Sequence, residues 1–88
     1  DWEIWAKPLA NDEWAIAMLN RSGETQRVEI DWASVVLKDD TFGHRAEFAN
    51  QAFALTDAWT GKAAGDTRTA LTRDLAPRDT AVFRLKPL

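Results

Sequence analysis

Phe53-Ala54-Leu55-Thr56-Asp57-Ala58-Trp59-Thr60-Gly61-Lys62 is the stretch from which the fold can be read. Phe53, Leu55 and Asp57 alternate with Ala54, Thr56 and Ala58, the two-residue period of a strand whose faces differ. Thr60-Gly61-Lys62 then offers a glycine where a reversing backbone needs positive φ. A strand that stops at a tight turn predicts a hairpin, and the flanking sequence decides what kind of sheet it joins.

Upstream, residues 2 to 7 alternate Trp2, Ile4 and Ala6 against Glu3, Trp5 and Lys7, and Pro8 then interrupts ladder hydrogen bonding. This reads as a first or edge strand. Asn11-Asp12 signals a turn. Glu13 to Asn20 carries Trp14, Ile16 and Met18 on one side and Ala15, Ala17 and Leu19 on the other, so both faces are apolar and the strand belongs at the centre of a sheet. Eight residues closed by Arg21-Ser22-Gly23-Glu24 are short for a helix. Thr25 to Asp31 is half-buried, with Val28, Ile30 and Trp32 inward, and Asp31 is placed to cap one helical turn through Trp32-Ala33-Ser34-Val35.

Lys38 to Gln51 reads as a long loop, pinned by Phe42 and Phe48, with a possible helical turn at Arg45-Ala46-Glu47-Phe48-Ala49. Downstream of the hairpin turn, a strand is expected over Thr67 to Leu71, a polar step at Thr72-Arg73-Asp74, and a last strand from Thr80 to Leu85 with Ala81, Phe83 and Leu85 inward. Short strands separated by turns, without a long helix or an internal repeat, specify an all-β, antiparallel two-sheet sandwich of Greek-key type in a single domain spanning 1–88.

Composition narrows the function. The chain has 88 residues, 11 basic against 14 acidic, a net charge of −3 and no cysteine. No Lys/Arg stripe exists to neutralise phosphates, so nucleic acid and anionic membrane are not expected partners. Disulfides and thiolate metal sites are excluded. No apolar run approaches a membrane span, and Asp1-Trp2-Glu3 does not open a signal peptide, so the chain reads as mature or excised. A chain of this length buries roughly 9,000 Å², about 60% of it apolar, worth on the order of 130 kcal/mol. Ordering it costs about the same, at ~1.5 kcal/mol per residue. Such a balance favours packing against a neighbour.

Candidate chemistry is sparse. A retaining glycosidase needs two carboxyl groups about 5 to 5.5 Å apart across a cleft, whereas Asp39-Asp40 and Asp12-Glu13 fall in turns, where solvated acids are ordinary. His44 has no second His or Cys to complete a zinc set and is expected in an exposed loop. No serine sits in a nucleophile elbow and no glycines form a phosphate loop. Asn20-Arg21-Ser22 matches the N-glycosylation acceptor pattern, a three-residue match that arises readily by chance. The five tryptophans, at 2, 5, 14, 32 and 59, are first of all core anchors. Trp2 and Trp5, on opposite faces of an early strand, are the exception: one of them should be exposed, marking either a domain seam or a sugar platform.

Four segments carry a family resemblance in order: Ile4-Trp5-Ala6-Lys7-Pro8-Leu9, Ala15-Ile16-Ala17-Met18-Leu19-Asn20-Arg21, Leu55-Thr56-Asp57-Ala58-Trp59-Thr60-Gly61-Lys62 and Ala76-Pro77-Arg78-Asp79-Thr80-Ala81-Val82-Phe83. Together they resemble the C-terminal β-sandwich domain of family 27 glycoside hydrolases, the α-galactosidases and α-N-acetylgalactosaminidases. Three features depart from the family pattern: Ala58 stands in place of Leu, Arg78 in place of His, and the 38–51 connection is longer. The resemblance implies a catalytic (β/α)₈ barrel upstream, for which about 250 residues are needed. It therefore implies no catalytic, metal-binding or cofactor-binding residue in this chain. Its expected partner is that barrel, with oligosaccharide as the alternative, and Trp2, Trp5 and Trp59 are the candidate interdomain or sugar contacts. A secreted, periplasmic or lysosomal setting would fit the family, and the sequence does not choose among them.

Overall fold

The computed structural model describes residues 2–39 and 44–88. Its strands are β1 (Trp2–Pro8), β2 (Trp14–Asn20), β3 (Gln26–Ile30), β4 (Val36–Asp39), β5 (His44–Glu47), β6 (Phe53–Asp57), β7 (Ala63–Asp66), β8 (Leu71–Leu75) and β9 (Thr80–Pro87). One layer is a five-stranded sheet in the order β1-β2-β9-β6-β7; β3 pairs with β8 and β4 with β5 as two-stranded ribbons. All pairings are antiparallel. The molecule is an antiparallel β-sandwich, as the alternation predicts.

β2 lies inside the sheet with both of its edges paired, one place from the middle strand β9. Its inward row, Trp14, Ile16, Met18 and Asn20, is buried throughout. Phe83 and Leu85 from β9 and Phe53 and Leu55 from β6 extend that row across the sheet, and Val28, Ile30, Leu71 and Leu75 meet it from the β3–β8 ribbon. Trp32 sits on a single 3-10 turn, Trp32–Ser34, whose Ala33 N–H donates to the Asp31 carboxylate, as the capping pattern predicts. Its ring meets Phe48 edge-on at 5.1 Å, and Phe48 meets Phe53 in the same way at 5.2 Å. These T-shaped contacts tie the region after β5 to the main core.

Two expectations are corrected. The 38–51 segment is not an unstructured loop, since β4 and β5 form a hairpin in which Leu37 pairs with Ala46 and Asp39 with His44. The expected helical turn at 45–49 is therefore strand and turn, and His44 lies on a strand. Phe42 and Asp40 lie outside the described residues. Further on, Thr67 to Ala70 is a turn and the supposed polar step belongs to β8. Asp66 forces the turn by accepting from the Arg68 N–H at 2.9 Å. Arg73 hid the strand, because it pairs with inward-facing Val28 yet is charged. Its guanidinium lies over the Phe83 ring, 5.2 Å from the centroid, and donates to the Thr72 carbonyl.

Asn20 ends β2 and is fully buried. Its Nδ2 donates to the carbonyls of Glu24 at 2.7 Å, Leu75 at 3.0 Å and Ala76 at 3.1 Å. Its Oδ1 accepts from the Ser22 N–H and hydroxyl. One side chain thus joins the β2–β3 loop to the β8–β9 turn by hydrogen bonds to main-chain carbonyls of both. The same geometry closes the glycosylation pattern in the folded chain, because the acceptor nitrogen is interred.

Candidate functional site

Alternation along the five-stranded sheet places a second apolar surface on its outer side. Cross-strand pairing aligns Trp5 with Ala17 and Ala17 with Val82, and the Ala58 N–H donates to the Val82 carbonyl. The next row aligns Glu3, Leu19 and Thr80. Four neighbouring strands span about 14 Å at ~4.8 Å per step. Between the outer strands the floor of this face is a row of the small side chains Ala17, Val82 and Ala58.

Tryptophans stand at both sides of this floor. Trp5 is 64% exposed and Trp59 is 69% exposed, whereas Trp14 and Trp32 are buried. Trp2 is half-buried and packs against the core, so the two rings of β1 take opposite faces. The Trp5 indole N–H donates to Glu3 at 3.2 Å, and Arg21 donates to the other Glu3 oxygen at 2.5 Å. The Arg21 hydrogen bond first, and the Trp5 bond second, hold the Glu3 carboxyl below the usual carboxylate range. A depressed pKa adds stability above the unfolded value that is lost as pH falls through the folded one, so this array is intact at neutral pH and opens on acidification. A depression of about 150 Å³ lies beside Trp5, lined by Lys7, Ala15, Ala17 and Val82 among others.

Trp59 is fixed by the hairpin turn. The Asp57 carboxylate accepts from the N–H groups of Trp59 at 2.8 Å and Thr60 at 3.2 Å, and Gly61, at φ 72°, donates back to the Asp57 carbonyl. This lets the Trp59 indole N–H reach the Thr80 carbonyl at 3.1 Å and lay the ring against the start of β9. Ala58, where the family pattern has Leu, is exposed on this outer side, so the missing volume comes from the surface and not from the core.

The Asp12-Glu13 pair does not come together as a reaction centre. Asp12 is exposed, and buried Glu13 is bound to Arg84 Nε at 2.5 Å. Asp40 of the other pair lies outside the described residues. Among the described residues no group of three or more His, Cys, Asp or Glu is placed to hold a metal ion. Sequence reasoning missed the bridging role of Asn20, read as a strand end and a chance glycosylation match, and the left-handed backbone of Arg78, at φ 61°. Pro77 at the preceding position was the available signal, since Pro at the second place of a turn often precedes a residue with positive φ.

Residues 1–85 match the family model described as the alpha-galactosidase C-terminal β-sandwich domain. The chain belongs to this family. The domain is 33% identical over 87 residues to alpha-galactosidase A of Cellvibrio japonicus, covering 99% of this chain and 21% of that protein. Among solved structures, the domain is similar to the family 27 β-L-arabinopyranosidase of Geobacillus stearothermophilus, with TM-score 0.71 and 22% identity over 100% of this chain and 18% of that one. It is also similar to the isomalto-dextranase of Arthrobacter globiformis T6, with TM-score 0.70 and 30% identity over 98% of this chain and 13% of that one. The domain thus spans between 13% and 21% of the length of these relatives, each of which carries it within a longer chain.

Proposed function

We propose that this domain is the non-catalytic C-terminal part of an α-galactosidase-like glycoside hydrolase, packing its five-stranded sheet against a catalytic (β/α)₈ barrel and stabilising it. The outward row of Trp5, Ala17, Val82 and Ala58, flanked by Leu19 and Trp59, carries this reading. A floor of small side chains between exposed indoles suits burial against another protein surface. The relatives support a structural role, since their names cover different glycosidic substrates while the domain is shared. Substrate choice would then reside in the barrel.

Val82→Asp tests the reading by placing a carboxylate in the centre of the floor. In the full-length enzyme this should shorten the half-life of heat inactivation at least tenfold, because an unpaired charge at an interface core costs several kcal/mol. The 88-residue chain alone should be little affected, its outer face being solvated. Unchanged heat stability of the full-length enzyme would refute the docking face.

A second reading rests on the Trp5 ring standing beside the hydrogen-bonding Glu3–Arg21 pair, an arrangement suited to stacking and binding a sugar. Titration of the 88-residue chain with galacto-oligosaccharides, followed by tryptophan emission, separates the two. No quenching is expected, and no hydrolysis of nitrophenyl α-galactoside. Saturable quenching lost in Trp5→Ala would put sugar binding first, and turnover would overturn the non-catalytic assignment.

A further inference from the structure

The arginines of this domain divide unevenly. Five of the seven pair with carboxylates, and Arg73 lies over the Phe83 ring. Arg78 is exposed and has no partner among the described residues. It also occupies the left-handed region at φ 61°, a conformation costly for any residue with a Cβ and usually given to glycine or asparagine. The fold holds it there from both sides. The Asp79 N–H closes the turn onto the Ala76 carbonyl at 3.1 Å, the Asn20 side chain grips the same carbonyl, and the Asn20 N–H donates to the Asp79 carbonyl at 2.9 Å.

The site so held is at the end of the outer face. Arg78 lines a depression of about 290 Å³ with Leu19, the last outward residue of β2, and with Asn20 and Arg21. Arg21 is already neutralised by Glu3, so among the described residues the depression retains one guanidinium without a paired carboxylate, on a domain whose net charge is −3. A planar fork with a fixed backbone direction matches a carboxylate bidentately. Continuity with the Trp5–Val82 floor says where that carboxylate comes from.

We propose that Arg78 is the electrostatic anchor of the docking face, receiving an Asp or Glu side chain of the catalytic domain that packs against the five-stranded sheet. This rests on the function proposed above and adds the charged contact that fixes the register of the two domains. The backbone strain at Arg78 is then retained because the side chain serves a contact outside the domain, in line with the clustering of strained residues at functional positions.

Arg78→Gly gives opposite signs in two settings. In the 88-residue chain it removes the left-handed strain, so the Tm should rise by a few degrees. In the full-length enzyme it also removes the interdomain contact, so the half-life of heat inactivation should fall about tenfold, the size of a lost charge-assisted hydrogen bond. Arg78→Lys, which keeps the charge, should retain part of that half-life. The wild-type half-life should shorten with added salt, and that of Arg78→Gly should not. A longer half-life in full-length Arg78→Gly, or a lower Tm in the short chain, overturns the anchor. Val82→Asp separates this from the docking reading: if it shortens the half-life and Arg78→Gly does not, the face stands and the anchor falls.

Discussion

Asn20→Asp is expected to leave the 88-residue chain mostly unfolded at neutral pH. The native amide shares its two N–H hydrogens among three main-chain carbonyls in a site with no solvent exposure. An ionised aspartate has no hydrogen to donate, so three carbonyl dipoles would face a buried negative charge. Burying that charge against the carbonyls costs about 3–5 kcal/mol, since only the Ser22 donors remain to it, and loss of the amide donors adds roughly 1–3 kcal/mol. A small domain has only about 5 kcal/mol or a little more in total. Asn20→Ala should be milder, at about 3 kcal/mol, because it removes the donors without adding a charge. Urea denaturation read by circular dichroism ranks the variants. Equal and small losses for both would mean that the two loops close without this amide.

Phe83→Ala should cost about 3–5 kcal/mol, the usual range for emptying an aromatic site in a core. Phe83 is 1% exposed in the middle of β9, paired with Ile16 on one side and Asp57 on the other. Its ring also carries the Arg73 guanidinium, so the substitution leaves an inward-facing cation above a cavity. Phe83→Leu isolates that second effect, since it restores most of the volume without the π face. We expect Phe83→Leu to recover more than half of the loss in chemical denaturation. A loss that is the same for Leu and Ala would make the cation contact, and not the volume, the dominant contribution.

The strands that could be read from the sequence are those whose inward residues are apolar except at a strand end. β2, β3, β6 and β9 present Ile16, Val28, Leu55 and Phe83 with their like-facing neighbours at a strict period of two, and each occurs where the alternation puts it. β8 was misplaced because Arg73 occupies an inward position, where its charge is accommodated by an aromatic face contributed by β9. No pattern within β8 announces a partner so distant in sequence. The β4–β5 hairpin was missed for another reason: four-residue strands meeting through Leu37 and Ala46 carry too little periodicity to stand out. At the outer face, opposite orientations for Trp2 and Trp5 follow from parity alone. The placement of Trp59 needed three-dimensional information, because it depends on Asp57 bending the turn back toward Thr80. Arg78 shows the limit most plainly, since the role proposed for it rests on a backbone angle and on the lack of a carboxylate partner among the described residues.

Burial of the Asn20 amide bears on the choice of production host. In a eukaryotic secretory pathway, the transferase that attaches glycans to Asn-Arg-Ser meets a nascent chain before its loops have closed. A glycan added at that moment could not be accommodated beneath the Leu75 and Ala76 carbonyls, so modification and maturation would compete for the same nitrogen. Yeast-secreted material should accordingly divide into a compact, unglycosylated fraction and a misassembled one whose mass falls on endoglycosidase treatment. A bacterial cytoplasm, lacking that enzyme, should give only the first.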